Sequence, residues 1–83
     1  MSQLEEQINA MFPQTRGMNP DERVTAVMAA GGPLNCGSGS HRVTFFFNFV
    51  GNHWGELSEY NKRQLRENYN VVETKTPVRI YLT

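Results

Sequence analysis

The sequence predicts a small α+β domain whose elements run helix, helix, strand, helix, strand. Three observations predict it. Two N-terminal segments carry apolar stripes between helix start and stop signals. The middle of the chain holds a run of closely spaced aromatic residues. The C-terminal stretch alternates Val78, Ile80 and Leu82 with Arg79, Tyr81 and Thr83. A two- or three-stranded sheet packed by helices accommodates these elements, with room for an extra short strand near Val71. With 83 residues, the chain has length for a single domain, 1–83.

The first helix is expected over 2–12. Ser2 followed by Glu5 fits a capping box. Leu4, Ile8, Met11 and Phe12 form one stripe, and Pro13 ends the helix by disfavouring the helical conformation of the residue before it. The second helix is expected over 20–30. Asn19 is a suitable N-cap and Pro20 a suitable first residue. Asp21 and Glu22 place negative charge at the positive end of the dipole. Val24, Val27 and Met28 supply the stripe, and Gly31 or Gly32 supplies the left-handed cap.

Residues 33–41 read as a Gly-Ser loop. Residues 42–50 read as a strand, with Val43, Phe45, Phe47 and Phe49 on one face. Thr44, Phe46, Asn48 and Val50 fall on the other. Large apolar groups on both faces suit a central strand, and Phe45, Phe47 and Phe49 are expected to form the aromatic centre of the core. The third helix, 58–68, starts at Ser58. It carries an alternating ladder of Glu59, Arg63 and Glu67 beside a thin apolar face of Leu57, Tyr60, Leu65 and Tyr69. Residues 71–83 read as extended. Thr74-Lys75-Thr76-Pro77 marks a turn between two short strands or a kink in one. A parallel crossover and an antiparallel return both remain open for the sheet.

Composition removes several function classes. Eight basic residues balance eight acidic ones, so net charge does not argue for nucleic acid or an anionic membrane. One cysteine, Cys36, excludes an intrachain disulfide and a paired-cysteine zinc site, and points to a reducing, cytoplasmic setting. No apolar run approaches the ~20 residues a membrane helix needs; the longest, 43–50, is broken by Thr44 and Asn48. The N-terminus is acidic, without the apolar core of a secretion signal.

Candidate chemistry is sparse. The Gly-rich loop does not make a phosphate cradle, because a helix precedes it, a strand is expected after it, and no lysine follows. Cys36 and His41 lie five apart and could pair as nucleophile and base. With His53 they could form part of a metal set. A loop of Gly37-Ser38-Gly39-Ser40 gives them no rigid frame, and the simpler account is an exposed or semi-buried free thiol without a role. The acidic pairs Glu5-Glu6 and Asp21-Glu22 are explained by helix first turns. No cofactor is implied.

The remaining signal is a contact surface. Trp54, the only tryptophan, stands in a turn between His53 and Gly55. It leads into a helix bearing Tyr60, Lys62, Arg63 and Arg66. Tryptophan, tyrosine and arginine favour interface centres, although Trp54 also suits a lid on the core. The expected partner-binding residues are His53, Trp54, Tyr60, Arg63 and Arg66. Residues 42–83 hold six basic and four acidic side chains, a net of +2, so a nucleic-acid module using this helix is the alternative. A small enzyme or ligand-binding domain around Cys36, His41 and His53 ranks third. The favoured function is a non-enzymatic protein-interaction module, accessory or inhibitory, with homodimerisation open through the terminal strand.

Overall fold

The computed structural model describes residues 3–36 and 40–82. Among these residues the α+β class holds: four helices precede a two-stranded antiparallel hairpin that packs against them. The order differs from the expected one at its third element, which is a helix.

Helix α1 (Gln3–Met11) buries Ile8, and Phe12 follows it into the core. Ser2, the expected cap, lies outside the described residues. Pro13 opens a single 3-10 turn, Pro13–Thr15. Thr15 donates through its hydroxyl to the Phe12 carbonyl at 2.7 Å and accepts from the buried Arg23 guanidinium at 3.0 Å. Arg23 belongs to α2 (Pro20–Ala29), which starts as the sequence indicates. Asn19 Oδ1 accepts from the Glu22 amide at 2.8 Å, and Glu22 Oε1 accepts from the Asn19 amide at 3.0 Å. Together they make a complete capping box. Gly31 and Gly32, at φ 101° and 96°, close the C-terminus, with the Gly32 amide donating to the Val27 carbonyl.

The expected loop 33–41 is shorter than the sequence suggests. Pro33–Cys36 forms a 3-10 turn, and α3 (Ser40–Asn52) already includes His41. Gly37, Ser38 and Gly39, the centre of the expected loop, lie outside the described residues.

The segment expected as a strand over 42–50 is therefore helical. Its apolar residues satisfy both periods, because Val43, Phe46, Phe47 and Val50 stand at i, i+3, i+4 and i+7. These four and Phe49 are buried, whereas Thr44 and Asn48 are exposed and Phe45 sits at the rim. The aromatic centre is thus Phe46, Phe47 and Phe49 rather than Phe45, Phe47 and Phe49. The physical reason is backbone satisfaction. A central strand needs partners on both edges, whereas a helix pairs its own amides and carbonyls wherever it is buried. β-propensity spans only about 1 kcal/mol per residue and yields to packing. Arg42, on the same helix, donates to the Met11 carbonyl at the end of α1.

Trp54–Glu56 forms a 3-10 turn before α4 (Glu59–Asn68). Ser58 caps α4 through its hydroxyl, accepting from the Asn61 amide at 3.2 Å. The chain then forms β1 (Asn70–Val72) and β2 (Arg79–Tyr81), paired antiparallel with Val71 opposite Ile80. The extended C-terminus is thus two short strands joined by a turn that contains a cis Thr76–Pro77 bond. β1 lies against α4 and β2 against α3. One core results, with Phe12, Val24, Val27, Phe46, Val50 and Leu65 at its most enclosed points.

A polar clamp ties α2 to α4. The Asp21 carboxylate accepts from the Ser58 amide at 2.8 Å and from Asn61 Nδ2 at 2.7 Å. Asn61, buried, also donates to Thr25 Oγ1 at 2.9 Å. The Ser58 amide is the main reason the Asp21 carboxyl is held below its ordinary value of 3.8. A carboxylate with a lowered folded pKa contributes stability that is complete above the unfolded value. That contribution disappears as pH falls through the folded value. Acid titration of the denaturation midpoint should therefore show a loss beginning just below pH 3.8, which Asp21→Asn removes. Asn61→Ala should cost about 1–3 kcal/mol at neutral pH, because it strips a buried donor from the Asp21 carboxylate, the Asp21 backbone carbonyl and Thr25 Oγ1. An unchanged midpoint in Asn61→Ala would show that the clamp contributes nothing.

Candidate functional site

The residues expected to bind a partner fall into a connected patch and one outlying position. Trp54 is half-buried and packs against the core, which confirms its lid role. Its indole Nε1 donates to Glu73 Oε1 at 3.2 Å. The Arg66 guanidinium stacks over the indole, 5.5 Å from the ring centre. The same guanidinium donates to both oxygens of Glu73, at 2.8 and 2.7 Å. Three segments meet in this arrangement: the turn after α3, the body of α4, and the chain just after β1. Glu73 holds the Arg66 cation more firmly protonated, and Arg66 in turn lowers the Glu73 carboxyl. Both groups are exposed, so screening keeps the energetic weight of the pair small. Its value is geometric, because a bidentate fork fixes the plane of the guanidinium against the indole.

Tyr60, Arg63 and Arg66 share the outward face of α4, and Tyr60 is 67% exposed. Tyr60 therefore does not belong to the thin apolar face, which consists of the buried Leu57 and Leu65 and the half-buried Tyr69. The expected Glu59–Arg63–Glu67 ladder is replaced by another pairing. Lys62 bonds Glu59 at 3.0 Å, and Arg66 bonds Glu73. Arg63 is left without an ion-pair partner among the described residues. His53 is the outlier. It stacks on Phe49, 4.5 Å between ring centres, and its Nδ1 lies 2.6 Å from Glu56.

The Cys36, His41 and His53 grouping does not assemble. His41 stands at the start of α3 and His53 just past its end. Twelve helical steps separate them by about 18 Å along the axis, so the two imidazoles do not converge. Among the described residues no group of three or more histidine, cysteine, aspartate or glutamate side chains is placed to hold a metal ion. Nor is any helix there long and apolar enough to cross a membrane.

Two features escape sequence reasoning. Glu73 appears in the sequence as one acidic residue in a polar stretch, with nothing to connect it to Trp54. The second feature is a groove of about 780 Å³ between α3 and β2, whose walls include Val43, Phe47, Val78, Tyr81 and Leu82. The signal for the groove was present in the alternation of 78–82, but the helical wall opposite it was not.

The fold and the patch define a small α+β domain of four helices and a hairpin, carrying an aromatic and arginine surface. No protein-family model, no curated protein and no solved structure matches the chain.

Proposed function

We propose that this chain is a non-enzymatic protein-interaction module, accessory or inhibitory, that engages another protein through the outward face of α4 and the adjoining Trp54. The observation that carries the reading is the Trp54–Arg66–Glu73 cluster beside the exposed Tyr60 and Arg63. It presents aromatic and guanidinium area already held in one geometry, so little side-chain freedom is lost on binding. The pairing of Lys62 and Arg66 with Glu59 and Glu73 supports a protein partner over nucleic acid. Two of the three cations on the helix are already neutralised within the chain, and phosphate binding draws on uncompensated charge. The single cysteine supports a reducing, cytoplasmic setting.

The test begins with affinity capture from a cell lysate and mass spectrometry, followed by binding measurements on the identified partner. Tyr60→Ala and Arg63→Ala remove exposed side chains and should leave the melting temperature within a few degrees of the parent. Each is expected to weaken binding by about 2 kcal/mol, roughly thirty-fold. Affinity should depend only mildly on salt. A steep salt dependence with nucleic acid as the captured species would favour the alternative. Unchanged affinity in the Tyr60→Ala/Arg63→Ala double variant would place the surface elsewhere.

A further inference from the structure

The sheet ends at β2, which has β1 on one side and no strand on the other among the described residues. The groove between α3 and β2 opens along that strand. Of the four large hydrophobic residues most exposed in the described chain, three line this groove: Leu34 at 59%, Tyr81 at 49% and Leu82 at 52%. An exposed strand edge flanked by apolar side chains is a template for another strand.

The residues along β2 indicate which strand fits. Read outward from Ile80, the segment is nearly its own mirror. Ile80 is flanked by Arg79 and Tyr81, and these by Val78 and Leu82. A second copy laid antiparallel and centred on Ile80 would oppose Val78 to Leu82, Arg79 to Tyr81, and Ile80 to itself. Directly opposed residues of an antiparallel pair share a face. Ile80 is buried and shares one face of the strand with Val78 and Leu82, while the exposed Arg79 and Tyr81 share the other and still border the groove. Leu82 of each copy would then lie over the other copy's groove, and each arginine would meet a tyrosine ring. No like charges are opposed. A register displaced by two residues in either direction loses this match.

The geometry points to homodimerisation by antiparallel pairing of β2 with β2 of a second copy, centred on Ile80, to give a continuous four-stranded sheet. This inference stands apart from the α4 surface, which it leaves uncovered. A stable interface buries upward of about 1,000 Å², more than five paired residues supply. The dimer is therefore weak and concentration-dependent.

Sedimentation velocity on the full chain, from micromolar to millimolar, tests this. The parent should pass from monomer to dimer. Tyr81→Lys places a cation opposite Arg79 at two symmetric positions and should weaken association at least about ten-fold. Arg79→Glu/Tyr81→Lys restores opposite charges in this register alone and should recover dimerisation to near the parent level. Far-UV circular dichroism confirms the fold of each variant. Leu82→Lys, which removes the groove-filling residue, replaces Tyr81→Lys if the latter does not fold. A parent that stays monomeric throughout overturns the inference and leaves the edge to a strand from another protein. Undiminished association in Tyr81→Lys, or in Leu82→Lys where it stands in, also overturns it, as does failure of the double variant to recover.

Discussion

Replacing Phe46 with alanine should cost about 3–5 kcal/mol, a large part of the stability of a domain this small. The Phe46 side chain is 0% exposed. Its ring lies 5.7 Å from that of Phe12 and 6.2 Å from that of Phe47, so α1 and α3 lock together around it. No neighbour is free to collapse into the vacated space, because Ile8, Val24 and Val50 are themselves enclosed. Phe47→Ala should fall in the same range, since Phe47 also packs edge-on against Tyr69 at 4.9 Å. Phe45→Ala, at the rim of α3, should cost less than half as much. Chemical denaturation of the three variants distinguishes the periods. A helix ranks Phe46 above Phe45, whereas a strand with 45, 47 and 49 inward reverses that order. A loss at Phe45 equal to that at Phe46 would contradict the helical assignment.

Gly51→Ala should destabilise the protein by about 1–3 kcal/mol, although helix propensity alone favours alanine by about 1 kcal/mol. Gly51 lies in the last turn of α3, where the hairpin crosses it. A Cβ there would stand 2.0 Å from the Val78 carbonyl oxygen and 3.1 Å from its carbon. Both are backbone atoms, so no side-chain rotation relieves the overlap. The hairpin has to retreat, which loosens Val78 and Ile80 against the core. Gly55→Ala is the control, because a Cβ at that position meets nothing within 4 Å; it should be close to neutral. A melting temperature raised by Gly51→Ala would mean that the hairpin does not rest on α3.

The helices around Leu4, Val24 and Leu65 were legible because their signals are local. A cap, an apolar stripe and a stop residue act within a few positions of one another, and the Asn19–Glu22 box forms as the residues suggest. The extended character of the C-terminus was legible for the same reason, with a short strand near Val71 among its options, whereas the pairing of its two strands into a hairpin was not. Residues 42–50 were not. Their apolar positions fit two periods at once, and the choice depends on whether partner strands exist to satisfy the backbone. Of the candidate surface, the sequence offers residue types and not their assembly. Trp54 and Arg66 stand out by residue type. Their stacking needs Glu73, which arrives only when the hairpin folds back along α4.

By itself the sequence determined that the chain forms a small α+β domain, which segments form three of the four helices among the described residues, and that its C-terminus is extended. Those properties come from capping, proline and glycine geometry, and short-range alternation, all of which operate without tertiary contacts. Only the tertiary structure decided that the aromatic run is a helix and that the sheet is a bare two-stranded hairpin. It also decided that Asp21 clamps α4 rather than merely starting α2, and that Gly51 must lack a side chain. Each of these depends on what lies opposite a residue across the core. A backbone group in the interior must find a partner, and a buried surface must find its complement. Neither requirement is visible until the chain has closed on itself.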